Sequence, residues 1–231
     1  MKIAVVNFSG NVGKSTIARH LLAPRMQDAE VIQIESVNSA EGTEERLRGK
    51  QFAELAEALA LLDEAVVDVG SSNAEDFVIQ MRKFRGAHED FDYFVVPTVA
   101  ATKQQRDTVS TIATLSELGV SAKKIRVLFN QVEPEQNVQH VFNGVFDYQN
   151  AEKTFTIRDD AVVHSNELFP RLKGLGKSIA GILADPTDLK EELKAAKNDD
   201  AKLRISRLIA LKRLAVGVTE ELDFVFKALF K

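Results

Sequence analysis

Residues 5–16 read VVNFSGNVGKST, and this stretch decides how the rest of the chain is interpreted. A short run of apolar, β-branched residues precedes it and a run with helical periodicity follows it, which predicts a turn between a buried strand and a helix. The turn ends in Gly13, Lys14, Ser15 and Thr16. Backbone N–H groups at the start of a helix, together with a lysine, bind phosphate oxygens. The stretch therefore predicts a phosphate-binding loop.

Position 8 departs from the general form of this motif, which is a glycine, four residues, and then Gly-Lys-Ser/Thr. The first glycine falls on Phe8 in this chain. The remaining chemistry is intact: Lys14 is expected to reach the β- and γ-phosphate oxygens, and the Ser15 hydroxyl to bind Mg²⁺. We therefore expect a variant loop.

Strand-like and helical runs alternate through residue 157. The strand-like runs are apolar throughout, which is typical of a parallel sheet covered by helices on both faces. The predicted fold is α/β, a three-layer sandwich with a mostly parallel sheet. Its predicted strands are Lys2–Phe8, Glu30–Glu35, Ala65–Gly70, Asp92–Pro97 (closed by Pro97), Lys124–Val132 and a sixth at Lys153–Ile157. Its predicted helices are Gly13–Met26, Gln51–Glu64, Glu75–Gly86 and Gln104–Gly119.

The sequence changes character after Gly181. Residues 185–231 are amphipathic, rich in Leu, Lys, Arg and Glu, and carry no strand pattern. We predict an α/β domain that carries the phosphate-binding loop over residues 1–185. Residues 186–231 are predicted to form C-terminal helices that pack on this domain or extend it.

Composition limits the classes of function. The net charge of −4 and the pI near 5.7 do not indicate a general affinity for nucleic acid. Any contact with DNA would therefore be a local basic patch. The absence of cysteine excludes disulfides, thiolate catalysis and cysteine metal ligands, and it fits a cytoplasmic protein. Four histidines show no metal-ligand spacing. We expect neither a secretory signal nor a transmembrane segment, because no apolar run is long enough.

Aligned on Lys14, the loop resembles the deviant Walker A motif of the ParA/MinD family of P-loop ATPases, lysine-glycine-glycine-x-glycine-lysine-threonine/serine. Gly10, Gly13, Lys14 and Ser15 match this motif, and Ser9 stands where the family has its signature lysine. That lysine reaches across a dimer to the partner's nucleotide. The resemblance implies a P-loop NTPase fold that binds ATP through Ser9, Gly10, Asn11, Val12, Gly13, Lys14, Ser15 and Thr16.

AVVDVG, residues 65–70, resembles the family's Walker B strand. By this resemblance Asp68 holds Mg²⁺ through a water molecule close to Ser15, and the amide of Gly70 meets the γ-phosphate. Lys14 and Asp68 are therefore predicted catalytic residues, with Ser15 and Asp68 forming the metal site.

Two further strand ends resemble the family. VIQIESVNS, residues 31–39, matches the strand that ends in an Asp-x-Asp pair, with Glu35 in the first place and Val37 in the second. Val37 cannot position water, which leaves Glu35, predicted to be catalytic, or Asn38 for that role. At the end of RVLFNQV, Asn130 takes the place of an asparagine that pairs with adenine through its carboxamide.

A basic run near the C-terminus reads KLRISRLIALKR, residues 202–213, with five bases and no acid. It is either a helix packed with a solvated basic rim, a membrane-surface helix, or a sequence-independent DNA contact. The DNA contact, which ParA/MinD proteins place near the C-terminus, would use Lys202, Arg204, Arg207, Lys212 and Arg213.

The missing signature lysine, the modest size and the helical C-terminus resemble the StbB-like plasmid-stability proteins. This likeness implies a slowly hydrolysing, Mg²⁺-dependent switch ATPase for plasmid stability, partition or conjugation. Its partners would be a second copy, in a homodimer or nucleotide-dependent oligomer, and a small DNA-binding protein. Two alternatives stay open: a nucleotide-dependent adaptor without significant turnover, and a small-molecule P-loop kinase or ligase.

Overall fold

A computed structural model describes residues 1–34 and 49–231 of the chain. Within them, six strands form one sheet in the order β2-β3-β1-β4-β5-β6, and every neighbouring pair is parallel. The strands are β1 Lys2–Val5, β2 Glu30–Ile34, β3 Ala65–Val69, β4 Tyr93–Thr98, β5 Ile125–Val132 and β6 Val162–His164. The predicted parallel α/β sheet is confirmed.

Ten α-helices connect or follow the strands in the described ranges. They are α1 Lys14–Thr16, α2 Gly49–Leu61, α3 Ser71–Lys83, α4 Thr102–Glu117, α5 Val138–Val141, α6 Asn143–Glu152, α7 Leu168–Leu175, α8 Ile179–Leu183, α9 Leu189–Ala195 and α10 Asp199–Leu229. The helical path of α1 continues without a break as a π-helical segment, Ile17–Leu22, and a 3-10 turn, Ala23–Arg25. Another 3-10 turn, Ala87–Asp90, precedes β4.

The predicted sixth strand is in the wrong place. Of Lys153–Ile157, only Thr156 makes a bridge, to Arg126, and the sixth strand is Val162–His164. Three residues are too few to give a periodic pattern in a sequence. The pattern also gave no sign of α5 and α6, which lie between Val138 and Glu152.

Pro97 does not close β4 but lies inside it, paired in register with Leu128. Proline has no N–H to donate to a neighbouring strand. Backbone pairing of β1 with β4 accordingly stops early, with a last bond from the Val6 N–H to the Val95 carbonyl, 3.1 Å. Strand β1 therefore ends here, and the chain continues into the loop that follows it.

The buried strands carry the core. Their side chains alternate between the two faces of the sheet, and one face packs a cluster of phenylalanines from strands and helices. Phe129 of β5 contacts two of these rings, with centroids 4.6 Å from Phe142 and 5.4 Å from Phe146. This packing fixes β5, whose end lies beside the candidate site.

The contacts of the described residues group into two compact units. The first holds Met1–Ser165 and Val225–Lys231, and the second holds Asn166–Phe224. The first therefore contains the whole sheet, and the second contains α7, α8, α9 and most of α10. The predicted domain boundary after residue 185 stays a prediction.

Burial predicts unequal effects of one substitution at two leucines. Leu128 of β5 is fully buried, whereas Leu61 at the end of α2 is 88% exposed. Leu128→Ala should lower the free energy of unfolding by about 2–5 kcal/mol, because it removes buried methyl groups and leaves a cavity. Leu61→Ala should change it by less than about 0.5 kcal/mol. Urea denaturation measures both, and equal losses would contradict the assigned position of β5.

Candidate functional site

The loop between β1 and α1 lies at the carboxyl edge of the sheet, on the central strand. In the order β2-β3-β1-β4-β5-β6, the strands β2 and β3 lie on one side of β1, and β4, β5 and β6 lie on the other. The chain therefore changes its direction of winding across the sheet at β1. Ligands of open α/β sheets bind at such a switch point, outside the carboxyl ends of the strands. The ends of β3 and β5 contribute Asp68 and Asn130 to the same edge.

Asn7 organises the start of the loop. Its fully buried carboxamide donates from Nδ2 to the Pro97 carbonyl (2.9 Å) and to the Thr108 hydroxyl (2.8 Å). Its Oδ1 accepts from the Ser9 N–H at 2.7 Å. Asn7 thus takes over the connection to β4 where backbone pairing stops, and it bends the chain towards the loop.

Helix α4 holds the adjoining residue. The Phe8 N–H donates to the Thr111 hydroxyl at 3.0 Å, one turn along α4 from Thr108. Phe8 is therefore anchored to α4 at the start of the loop, three residues beyond the end of β1. Sequence reasoning identified neither Asn7 nor the two threonines, because Asn7 lies outside the motif and its partners lie about 90–100 residues away in the chain.

Lys14 is buried inside the loop. Its Nζ donates to the carbonyls of Asn7 (3.1 Å) and Ser9 (2.8 Å). Burial lowers the pKa of this ammonium group from 10.5 to about 8, and the negative charge of Asp68 raises it in part. A cation that is buried this way, with carbonyls as hydrogen-bond partners, has favourable chemistry for receiving an anion.

Positive backbone φ angles shape the rest of the loop. Asn11 has φ 61° and Gly13 has φ 88°, both in the left-handed region, which asparagine and glycine adopt more readily than other residues. Asn11, which stands where the ParA/MinD motif has a glycine, is therefore compatible with the conformation of the loop. Ser15, at the start of α1, is exposed and so has its hydroxyl available to a ligand.

Ser9 differs most from the family motif. It is 3% exposed, its N–H bonds Asn7 and its carbonyl accepts from Lys14. A short, buried side chain cannot reach a partner subunit as the family's lysine does. In this chain position 9 serves the internal structure of the loop.

Asp68 fits a role beside a magnesium ion. Its carboxylate is 2% exposed, and Oδ1 has no hydrogen-bond partner within residues 1–34 and 49–231. Oδ2 lies 3.4 Å from Nε2 of Gln33 on β2. A buried carboxylate oxygen without a partner is costly unless a further donor, such as metal-bound water, satisfies it.

The donor set also suits Mg²⁺ in general terms. No group of three or more acidic or histidine side chains that would hold a metal is found in the described ranges. Mg²⁺ usually keeps several waters and binds one or two protein oxygens together with phosphates. The Ser15 hydroxyl and Asp68, acting through water, match this mode.

For two predicted site residues, Gly70 and Asn130, the structure shows no side chain or N–H group that is open to a ligand, and a third, Glu35, is not among the described residues. The Gly70 N–H donates to the Ile34 carbonyl at 2.8 Å, so a contact with the γ-phosphate requires this bond to open and stays a prediction. Glu35 and the neighbouring Val37 and Asn38 lie outside the described residues. Asn130 is close to the loop, but its carboxamide bonds the loop itself.

The basic run lies on α10. Lys202, Arg204, Arg207 and Arg213 are exposed, and Lys202 has Asp199 at 3.7 Å. Lys212 is only partly exposed, and its Nζ donates to the Asp185 carbonyl at 2.7 Å. Four of the five bases therefore face solvent, while Lys212 ties α10 to the segment before α9. No helix in the described residues is both long and apolar enough to cross a membrane.

Together, the sheet order, the loop after β1 and the buried Lys14 define the chain as having a P-loop NTPase fold. No protein-family model and no curated protein matches it. Solved structures do match.

The match to MinD of Aquifex aeolicus, solved in a complex with MinC, has 15% identity and a TM-score of 0.51, covering 94% of this chain and 96% of that one. For pNOB8 ParA the identity is 11% and the TM-score 0.51, with 98% of each chain covered. The septum site-determining protein MinD of Pyrococcus horikoshii OT3, complexed with Mg-ADP, gives 12% identity and a TM-score of 0.50, over 96% and 95% of the chains. The chain has the fold of the MinD and ParA type of ATPase, as its sequence predicted.

Lys14 makes the free energy of unfolding depend on pH. In the unfolded chain its pKa is the ordinary 10.5, so between about pH 8 and 10.5 the unfolded state binds more protons than the folded state. Stability from this group therefore rises with pH through that window. At about 1.4 kcal/mol per pKa unit, the wild type should gain about 3 kcal/mol relative to Lys14→Met.

Urea denaturation of both proteins from about pH 7.5 to 10.5 measures this difference, because the other lysines and tyrosines cancel between them. A difference that stays constant with pH would contradict the burial of a charged Lys14.

Proposed function

We propose that this chain is a nucleotide-switched positioning ATPase that binds Mg-ATP in the loop after β1. The observation that carries the proposal is the buried ammonium group of Lys14, held by two loop carbonyls beside Asp68. Oδ1 of Asp68 has no hydrogen-bond partner in the part of the chain that the structure describes. The buried cation suits the triphosphate, and the carboxylate oxygen suits its metal ion. That MinD of Pyrococcus horikoshii carries Mg-ADP on the same fold supports the choice of ligand.

Different groups of the loop are proposed to bind the phosphates and the metal ion. Backbone N–H groups of the loop and the start of α1 would meet the phosphates, and the Lys14 ammonium would move from the carbonyls to a phosphate oxygen. The Ser15 hydroxyl and Asp68, through water, would hold Mg²⁺, which neutralises phosphate charge when bound. The proposed binding residues are Ser9, Gly10, Asn11, Val12, Gly13, Lys14, Ser15, Thr16 and Gly70.

Turnover is proposed to be slow. In hydrolysis a water oxygen bonds to the γ-phosphorus, the bond to the β–γ bridging oxygen breaks, and ADP and phosphate leave. Glu35, the catalytic residue proposed from the sequence, would orient that water. Position 37, which bears an acid in the family, is valine here and gives water no hydrogen bond.

The buried Ser9 favours a second candidate, a nucleotide-dependent adaptor without significant turnover. With serine at position 9, the loop lacks the residue that reaches the nucleotide of a partner subunit in the family. Nucleotide binding would then change affinity for a partner or for a second copy through loop contacts made in one state alone. A complex with MinC is known for MinD of Aquifex aeolicus, which supports a protein partner for this fold.

The cellular setting is proposed from the sequence. Resemblance to StbB-like proteins favours plasmid stability, partition or conjugation in the cytoplasm, alongside a small DNA-binding protein.

Substitution of Lys14 tests nucleotide binding directly. Lys14→Ala should reduce Mg-ATP affinity at least a hundredfold, since it removes the one buried cation of the loop, whereas Lys103→Ala at an exposed position of α4 should leave it unchanged. Titration calorimetry measures both, and a phosphate-release assay separates the ATPase from the adaptor. Wild-type affinity in Lys14→Ala would show that the loop assignment is wrong, and phosphorylation of a small acceptor would instead indicate a kinase.

Exposed bases of α10 are the proposed contact for nonspecific DNA. Reversing Lys202, Arg204 and Arg207 to glutamate should weaken binding to a random duplex by about tenfold or more at low salt and reduce its salt dependence. The matched control reverses Lys190, Lys194 and Lys197, which are also exposed. Equal effects in both variants, or full affinity in the first, would show that the bases of α10 do not form a DNA contact.

A further inference from the structure

Asn130 ends the regular part of β5, directly before a bulge. Pairing with β6 runs from Asn130↔Val163 to Val132↔His164, so Gln131 is an extra residue, and it has φ 56°. Bulges re-aim neighbouring side chains and often lie next to functional sites. By the alternation of the strand, Asn130 lies on the face opposite Phe129.

The carboxamide of Asn130 packs against the loop. Its Nδ2 donates to the Val12 carbonyl at 2.9 Å, and the residue is 4% exposed. A Cβ at position 13 would lie 2.2 Å from the same Nδ2. The absence of a side chain on Gly13 is therefore what admits the amide, and Asn130 and Gly13 depend on one another.

A donor on the Val12 carbonyl has a direct effect on anion binding. A loop that binds phosphate must point its N–H groups towards the anion and keep its carbonyl oxygens away, since both are negative. Before phosphate binds, Lys14 bonds the carbonyls of Asn7 and Ser9. Asn130 does the same for the next part of the loop, from a different strand.

We infer that Asn130 is a positioning residue for the phosphate loop, and that it does not read the base of the nucleotide. This inference rests on the proposed nucleotide binding. Its side chain acts on phosphate through the Val12 carbonyl, so its contribution is independent of which base is attached. A residue that reads adenine would instead present its carboxamide edge to the base, whereas here the Nδ2 group is bonded to the Val12 carbonyl and the residue is 4% exposed.

The experiment compares three ligands: ATP, GTP and inorganic tripolyphosphate, each with Mg²⁺. Asn130→Leu keeps the size of the side chain and removes the donor, and Asn130→Ala removes both. Both variants should lose about five- to a hundredfold in affinity, by the same factor for all three ligands, in titration calorimetry. The ratio of ATP to GTP affinity should stay at its wild-type value.

Gln131→Asn is the matched control, because position 131 is exposed and asparagine tolerates its positive φ. It should bind all three ligands as the wild type does. Thermal unfolding without ligand identifies a variant that does not fold, in which case the other Asn130 variant decides.

Two outcomes would overturn the inference. One is a loss confined to ATP, with tripolyphosphate affinity unchanged, which would make Asn130 a reader of adenine. The other is unchanged affinity for every ligand in both variants. A folded wild type that binds none of the three ligands would instead refute the proposed function.

Discussion

The structure of the candidate site depends on burying one ammonium group, that of Lys14, inside a turn of backbone. The cost of desolvating this group shows in its pKa, which burial brings down to about 8. Two loop carbonyls and the charge of Asp68 offset part of this cost. This arrangement leaves a cation poorly solvated and, among residues 1–34 and 49–231, a carboxylate oxygen without a partner. A ligand with phosphate and metal would stabilise it further.

Residues outside the motif keep the backbone around Lys14 in place. Pro97 ends the pairing of β1 with β4, and Asn7 bridges the gap with its side chain. The hydroxyls of Thr108 and Thr111 extend this support to α4, and Asn130 supports the other end of the loop from β5. The loop is thus held by α4 and β5, which reach it with neutral polar side chains, and by β4, whose Pro97 carbonyl accepts from Asn7.

The sequence predicted what is local and periodic. The first five apolar strands and the helices between them were confirmed, because each depends on a few adjacent residues. Phosphate binding by the motif at Gly13–Ser15 stays a prediction. The support given by Asn7 could not be predicted, since its partners are far away in the chain. The short strand Val162–His164 was missed for lack of length, and a β-like pattern at Lys153–Ile157 was mistaken for it. The sequence singled out Asn130 but could not predict its bond to the Val12 carbonyl, because the two residues are 118 positions apart in the chain.

A crystal structure with Mg²⁺ and a non-hydrolysable ATP analogue would show whether the loop is preformed to exchange internal carbonyls for phosphate. We predict that the phosphates lie over the loop and that Lys14 Nζ moves from the carbonyls of Asn7 and Ser9 to a phosphate oxygen. We also predict that Nδ2 of Asn130 stays on the Val12 carbonyl. Phosphates bound elsewhere, or a Lys14 that keeps both carbonyls while nucleotide is bound, would contradict these predictions.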